Sequence, residues 1–378
     1  MLRLKGFIYN IISLLVRLTP GSVTSKTLLI IKTNEIGDYI LWRNMLPSIR
    51  KAKRFEGYRI TLLGNIAWKN FFDTYDANLV DEVVWVNKRL FKENMKYRFS
   101  LLRKIRKTGF EMAANVVTSR CKREDDAFML VLTNSYKVGS ISDNTNILPF
   151  EKGYDNHLYN ELLGKSTDDF EFFTNRKITE ALIGEKLPDN LFELNAEGSV
   201  PAQLFNKNYF VVFTGASRPE KTWPADFFAE VANYVVKKYG LVPVLGGSPS
   251  DVPYVEAFLK VYKGESINLC GKTSLAEFAI VLNKARFLLS SDTGAVHIAA
   301  AVGCTVFGVF NGTRYGRFAP YPVSVAPHYH AVFPDEVEND VNNGNRHLYQ
   351  GISPIPYTAI PAEKMIKTIE RYFNPTIS

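Results

Sequence analysis

The chain has 378 residues, 46% of them hydrophobic and 22% charged, a composition typical of globular proteins that excludes a disordered or fibrous chain. At roughly 100–200 residues per domain, this length predicts two domains, or three at most. Three cysteines without CxxC spacing and five scattered histidines argue against a disulfide scaffold and a structural zinc site, so we expect a reducing compartment. No apolar run approaches the ~18 residues that a membrane-spanning helix needs.

The net charge of +8 is concentrated in one segment, because Lys88 to Lys107 holds nine basic residues and a single acid, Glu93. Apolar residues recur there at three- and four-residue spacing, which predicts a helix with an apolar stripe and a basic face. Such a face could be solvated, or could bind an anionic membrane, a phosphorylated substrate or nucleic acid. The chain has no nucleic-acid-binding motif around these residues, so we expect no nucleic-acid partner.

Residues 1–25 form a separate N-terminal segment that is apolar and basic. Arg3, Lys5 and Arg17 are its charged residues before Lys26, and it contains no acid. We predict a basic amphipathic helix that either lies on an anionic membrane or packs on the protein itself. A secretory signal is less favoured, since no convincing cleavage site follows the apolar run.

Residues 26–200 alternate buried strands with amphipathic helices, which predicts a parallel sheet covered on both faces. The predicted strands are Thr27–Lys32, Tyr58–Leu63, Leu79–Val86 and Phe110–Val117. The predicted helices are Asp38–Arg54, Glu93–Lys107 and Asp125–Leu132. An acid-rich stretch from Asp155 to Glu197 is interpreted as a helical element and an interdomain connection.

The alternation begins again in residues 201–378, which predicts a second doubly wound unit. Its predicted strands are Tyr209–Phe213, Leu241–Leu245, Ile267–Leu269, Phe287–Ser290 and Thr305–Phe310. Its predicted helices are Pro224–Tyr239, Val252–Tyr262, Leu275–Lys284, Thr293–Val302 and Ala362–Tyr372. The proline-rich region from Thr313 to Pro356 is expected to be irregular.

Chemistry is expected in the loops at the carboxyl ends of the strands. The first strand runs into Gly37 and Asp38, where the aspartate is either a helix cap or a general base. In the second unit, the loop TGASRPEKTWP offers Ser217, Arg218 and Lys221 beside a helix start, a combination that suits a phosphate.

A third loop, SSDTGAVH, places Asp292, Thr293 and Gly294 at a helix start and His297 one turn further on. Backbone N–H groups there favour a diphosphate, whereas Asp292 either caps the helix or binds sugar hydroxyls. The chain lacks the GxGxxG dinucleotide motif and the metal-binding DxD of many sugar transferases.

These pieces, in this order, resemble glycosyltransferase family 9, the ADP-heptose:lipopolysaccharide heptosyltransferases. The matching segments between about residues 26 and 312 are LLIIKTNEIGDYILWRNMLPSIRKA, GASRPEKTWPADFFAEVA, VLGGSPSD and CGKTSLAEFAIVLNKARFLLSSDTGAVHIAAAVGCTVFGVF. The chain differs in the segment FNGTRYGRFAPYP after Val309, where the family commonly has a Phe-Gly-Pro-Thr type loop.

The resemblance implies an α/β fold of GT-B type, in which two doubly wound Rossmann-like domains face a central cleft. Residues 26–200 would bind the acceptor, and residues 201–378 would bind the nucleotide-sugar donor and end in a C-terminal helix. Asp38 would be the catalytic base. Ser217 and Lys221 would bind the donor diphosphate, and Asp292, Thr293, Gly294 and His297 would line the donor site.

The resemblance also implies an inverting, metal-independent glycosyltransferase. It would move heptose from a nucleotide-sugar, ADP-heptose, to lipopolysaccharide or another surface glycan, and would need no other cofactor. We expect a lipid-linked or anionic glycan acceptor, a cytoplasmic location and contact with the inner face of the cytoplasmic membrane. Two alternatives stay open: a sugar-nucleotide epimerase of GT-B fold, and a non-catalytic nucleotide-sugar-binding protein.

Overall fold

Two compact units make up the chain. One comprises Met1–Thr167 and Phe172–Leu191, and the other comprises Asp168–Glu171 and Phe192–Ser378. The computed structural model describes residues 2–143, 145–147, 157–164, 170–188, 192–216 and 218–374, without the side chains of residues 2–5.

The first unit contains a six-stranded parallel sheet with the strand order β3-β2-β1-β4-β5-β6. Its strands are β1 Thr27–Lys32, β2 Arg59–Asn65, β3 Glu82–Val86, β4 Met112–Asn115, β5 Tyr136–Ser140 and β6 Glu161–Leu163. In register, Leu28 lies opposite both Ile60 and Met112. All six residues of β1 are buried, because a central parallel strand is covered on both faces.

The second unit repeats this arrangement with the order β12-β11-β10-β7-β8-β9. Its strands are β7 Tyr209–Phe213, β8 Val242–Leu245, β9 Ile267–Asn268, β10 Leu288–Ser291, β11 Val306–Val309 and β12 Tyr329–Val332. A core centred on Trp223, Phe228 and Phe287 fills the space between this sheet and its helices. The predicted pair of α/β units is therefore confirmed.

Helices connect most of the consecutive strands in the described part of the chain, as is usual for crossovers between parallel strands. In chain order they are α1 Leu2–Arg17, α2 Ile36–Arg43, α3 Leu46–Lys51, α4 Lys69–Tyr75, α5 Lys88–Glu93, α6 Met95–Thr108, α7 Asp125–Val131, α8 Glu171–Ile183, α9 Ala225–Tyr239, α10 Val252–Val261, α11 Leu275–Lys284, α12 Gly294–Ala301, α13 Asp335–Asn342 and α14 Ala362–Phe373.

Two predicted helices are divided in the structure. The helix expected over Asp38–Arg54 consists of α2 and α3, because Pro47 at the start of α3 cannot continue the hydrogen bonds of α2. The basic segment from Lys88 to Lys107 also forms two helices, α5 and α6. They separate at Asn94, whose side-chain oxygen accepts a hydrogen bond from Tyr97 N at 3.0 Å and caps α6.

Several elements were not predicted. Helix α4 and strands β5 and β6 are short, and the region predicted to be irregular after Thr313 contains β12 and α13. β12 is the edge strand of its sheet, and its Tyr329 lies opposite Val306 of β11. A four-residue edge strand between prolines lacks the long apolar run on which the prediction depended.

Candidate active site

The loop between β1 and α2 in the first unit positions Asp38. Glu35 occupies the cap position of α2, and its side chain makes no capping hydrogen bond. Asp38 lies in the first turn of this helix and is half-buried. The alternative that Asp38 is the helix cap is therefore wrong, because α2 begins earlier than the sequence predicts.

Neighbouring strands fix the backbone of this loop. Asn65 at the end of β2 donates from Nδ2 to Asn34 O at 3.2 Å, and Trp68 donates from Nε1 to the same oxygen at 3.1 Å. At the start of α5, Lys88 Nζ lies 2.9 Å from Glu35 Oε1. These contacts hold the loop before Asp38 in place, although the side chain of Glu35 does not cap α2.

Buried polar groups of the first unit lie near the ends of β1 and β4 in the chain. Thr33 Oγ1 donates to Asp125 Oδ1, and Cys121 N donates to Asp125 Oδ2 at 3.1 Å. Burial raises the pKa of Asp125 to about 6, with smaller contributions from the neighbouring carboxylates. Lys32 is also fully buried, and its Nζ lies 3.4 Å from Asn175 Oδ1. Sequence analysis missed Asp125 and Asn175, since neither lies in a recognised motif.

In the second unit, the structure brings together two predicted loops. Lys221 Nζ, in the loop after β7, lies 3.3 Å from Asp292 Oδ2, directly after β10. These are neighbouring strands of one sheet, and both side chains remain partly exposed, at 33% and 21%. A cation and an acceptor thus lie at the same carboxyl edge.

Helix α12 begins beside this ion pair. Its cap is Thr293, whose Oγ1 accepts a hydrogen bond from Ala295 N at 3.3 Å, and Gly294 is its first residue. The proposal that Asp292 caps the helix is therefore wrong, and its carboxylate is instead held by Lys221. Ser217 lies outside the described residues.

His297 lies in α12 and is 94% buried. Its Nδ1 makes a 2.6 Å hydrogen bond with the hydroxyl of Tyr321. Burial lowers the pKa of His297 to about 4, against the opposing effects of Asp292 and Glu171. A neutral imidazole at pH 7 can exchange hydrogen bonds with a ligand but offers it no positive charge.

The residues around His297 were missed by the sequence analysis. Tyr321 stacks on Tyr329 with ring centroids 4.3 Å apart, and Arg317 Nε lies 2.9 Å from Glu171 Oε2. Arg317 and Tyr321 belong to FNGTRYGRFAPYP, the segment that departs from the family pattern. That departure was the available signal, since it singled out this segment of the sequence.

Buried hydroxyls without a hydrogen-bond partner among the described residues flank Lys221. They belong to Thr214, directly after β7, and to Thr222. Gly215, next to Thr214, allows the side chain of Asp251 to approach closely, because a Cβ at position 215 would collide with its carboxylate. An unpaired buried hydroxyl costs free energy, so these groups are suited to a ligand that supplies the missing partner.

This edge of the second unit can hold an anion and a polyhydroxylated group together. Lys221 and the backbone N–H groups at the start of α12 favour negative charge, whereas the carboxylate of Asp292 accepts hydrogen bonds from hydroxyls. Within the described part of the chain, no three His, Cys, Asp or Glu side chains are grouped as metal ligands.

Comparison with known proteins shows what the chain around this site is similar to. The sequence model described as glycosyltransferase family 9 (heptosyltransferase) matches residues 170–331, which include Lys221, Asp292 and His297. Over 119 residues the chain is 29% identical to the lipopolysaccharide core heptosyltransferase OpsX of Haemophilus influenzae. That match covers 31% of this chain and 34% of the relative, so the chain spans about a third of the relative's length.

Solved structures show a likeness in fold over nearly the whole chain. The glycosyl transferase family 9 structure from Veillonella parvula is 18% identical, with a TM-score of 0.68 over 94% of this chain and 99% of that one. E. coli heptosyltransferase WaaC with ADP is 17% identical, with a TM-score of 0.60 over 92% and 98%. The predicted GT-B fold class and the resemblance to glycosyltransferase family 9 are confirmed.

Proposed function

We propose that this protein is an inverting, metal-independent glycosyltransferase that moves heptose from a nucleotide-sugar to a lipopolysaccharide or other surface-glycan acceptor. The observation that carries the proposal is the Lys221–Asp292 ion pair beside the start of α12, within the segment that matches the family. The likeness in fold to E. coli heptosyltransferase WaaC, whose structures hold ADP and ADP-2-deoxy-2-fluoro heptose, supports ADP-heptose as the donor.

The donor diphosphate would lie between Lys221 and the start of α12. There the ammonium group and the N–H groups near Gly294 would stabilise the negative charge that develops on the departing nucleoside diphosphate. Asp292 would orient the sugar by accepting hydrogen bonds from its hydroxyl groups. His297 would line the donor site as a neutral imidazole. Ser217 remains a proposed diphosphate ligand from its sequence position.

Asp38 would act as the general base on the acceptor hydroxyl. The carboxylate takes the proton while the acceptor oxygen attacks the anomeric carbon, and the bond from that carbon to the diphosphate oxygen breaks on the opposite side. One such displacement inverts the anomeric configuration. A positioned base contributes roughly 10²–10⁴-fold to the rate.

The acceptor would be a lipid-linked or anionic glycan. We therefore place the enzyme in the cytoplasm, in contact with the inner face of the cytoplasmic membrane. The basic charge of α5 and α6 supports this placement, since cations near an anionic surface each contribute about 1 kcal/mol. Among the described residues, no helix is long and apolar enough to cross a membrane.

Product analysis tests the function directly. The full chain would be incubated with ADP-heptose, with and without a heptose-deficient lipopolysaccharide acceptor. The acceptor would be followed by mass spectrometry, and the nucleotide-sugar by chromatography and ¹H NMR, which distinguish epimers of equal mass. We expect acceptor-dependent release of ADP and a mass increase of one heptose on the acceptor. Isomerised nucleotide-sugar without acceptor would instead identify an epimerase, and binding without any turnover would identify a non-catalytic protein.

A further inference from the structure

Helix α1 has two apolar faces, and only one of them is covered. Its inner face packs on α6 and α7 of the first unit, where Ile12 and Val16 join the hydrophobic core. Tyr9 anchors the same face, because its hydroxyl donates to Lys92 O at 2.5 Å and its ring lies 4.1 Å from the Arg98 guanidinium carbon. The helix is thus fixed to the protein as a structural element.

The opposite face of α1 exposes large apolar side chains. At 100° per residue, they lie on the side of the helix away from Tyr9, Ile12 and Val16 and continue into the residue after its end. They are between 37% and 75% exposed: Phe7, Ile8, Ile11, Leu14, Leu15 and Leu18. We call these six residues the outer face. A contiguous exposed apolar group of this size marks an interaction surface rather than ordinary solvated surface.

Charge around the outer face indicates what covers it. The chain has no acidic residue before Glu35, and Arg17 is exposed on α1 itself. The neighbouring helix α6 also lacks acids and exposes four cations that form no ion pair with described residues: Lys96, Arg103, Lys104 and Lys107. A second copy of this chain would bring two such basic surfaces together, which like-charge repulsion opposes. An anionic surface is the complementary partner.

We propose that the outer face is a membrane-docking surface that inserts, parallel to the bilayer plane, into the interface of a membrane rich in anionic lipid. A 16-residue helix is about 24 Å long and already packed along one side, so it can lie in the interface but not span it. This proposal assigns the membrane contact of the proposed function to specific residues. It rests on the proposed function only for the reason to bind a membrane, which is the lipid-linked acceptor. The binding itself requires neither donor nor acceptor.

Vesicle flotation with the full chain tests the proposal without any substrate. We expect the protein to float with phosphatidylcholine vesicles that contain phosphatidylglycerol, and to bind much less to pure phosphatidylcholine or at high salt. Leu14→Ser combined with Leu15→Ser should weaken partitioning roughly 100-fold, because two leucine side chains no longer leave water. The matched control is Val323→Ser with Ile352→Ser, two exposed apolar residues of the other unit that should leave flotation unchanged.

Three measurements decide the outcome. Unchanged melting temperatures show that the variants are folded, as expected for exposed positions. If the wild-type chain is dimeric in solution and the Leu14/Leu15 variant is monomeric, a second copy covers the outer face and the proposal is overturned. Equal flotation of the wild type and this variant also overturns it. Heptosyl transfer to a detergent-solubilised acceptor is measured separately, so failure to dock and failure to catalyse remain distinguishable.

Discussion

Lys221 and Asp292 hold each other at the carboxyl edge of the second sheet, with 3.3 Å between Nζ and Oδ2. The pair keeps an ammonium group beside the start of α12 before any ligand arrives. A diphosphate that binds there would share this ammonium group with Asp292. The aspartate would position the ammonium group, and its own negative charge would repel the phosphate oxygens. In the proposed site, this carboxylate would bind the sugar rather than the phosphate.

Replacing Lys221 should weaken nucleotide binding without unfolding the protein. A charge-assisted hydrogen bond to phosphate contributes about 1.5–3 kcal/mol, so Lys221→Met should weaken ADP binding roughly 10- to 100-fold by calorimetry. Lys238→Met, an exposed cation in the last turn of α9, is the control that should leave affinity unchanged. Equal affinities in wild type and Lys221→Met would remove Lys221 from the phosphate site.

Thr222 offers a test in which stability and binding respond differently. Its buried hydroxyl has no partner among the described residues, so Thr222→Val should leave the free energy of unfolding unchanged or raise it by up to about 1 kcal/mol. If a bound nucleotide satisfies this hydroxyl, ADP affinity should fall roughly five- to tenfold.

Thr179→Val is the matched control, because its hydroxyl is buried but donates to Asn175 O at 2.9 Å. This variant should lose about 1 kcal/mol of stability and keep its ADP affinity. Unfolding in urea and calorimetry give both quantities. Unchanged ADP affinity in Thr222→Val would show that its hydroxyl is not a ligand-binding group.

Periodicity predicted most of the fold because long buried strands leave a direct signal. Strands β1 and β7 match their predicted limits, since central parallel strands are apolar along their whole length. The short strands β5, β6 and β12 were missed. β6 and β12 are edge strands and β5 lies beside β6. These strands have only three to five residues, and their composition depends on tertiary neighbours that a local pattern does not contain.

The candidate site was predictable where its residues lie in motifs and not where tertiary contacts define it. The structure places Lys221 and Asp292 in contact, as expected for loops at one sheet edge. Tyr321 reaches His297 from a segment with no periodicity, and Asp125 reaches Thr33 across 92 residues of sequence. Such contacts depend on how the chain folds back, which residue spacing does not encode. The roles of Asp38, Ser217 and the other predicted site residues stay predictions.

The buried His297 should make stability depend on pH. Its folded pKa of about 4 lies below the unfolded value near 6.5, so its stabilising contribution is present above pH 6.5. This contribution is lost as the pH falls, because only the unfolded chain takes up the proton, at about 1.4 kcal/mol per pH unit. His297→Asn should therefore be clearly less stable than wild type at pH 7 and nearly equal to it at pH 5.

Urea unfolding across this range measures the difference between the two proteins. Taking the difference removes the contribution of Asp125, whose raised pKa gives stability the opposite slope between about pH 4 and 6. Parallel pH profiles for wild type and His297→Asn would show that His297 is not held neutral in the folded protein.

Transfer should proceed without a divalent cation. The predicted mechanism assigns the leaving-group charge to Lys221 and to the N–H groups at the start of α12, so a chelator should leave the rate unchanged. The measurement is ADP release in excess EDTA, compared with the rate after magnesium or manganese is added back. Complete loss of turnover that either metal restores would contradict the metal-independent reaction.

Asp38 gives the sharpest prediction for catalysis. Because Glu35 occupies the cap position of α2, Asp38→Asn should keep the melting temperature near that of wild type. The amide cannot take up the proton of the acceptor hydroxyl, so kcat should fall by two or more orders of magnitude while ADP affinity stays unchanged.

The control for this prediction is Asp73→Asn, which removes an exposed carboxylate that pairs with Lys69 in α4 and should keep wild-type kcat. Single-turnover rates, calorimetry and thermal unfolding together separate the possibilities. Near-normal turnover in Asp38→Asn would end its assignment as the base, and a large loss of melting temperature would show that the carboxylate has a structural role instead.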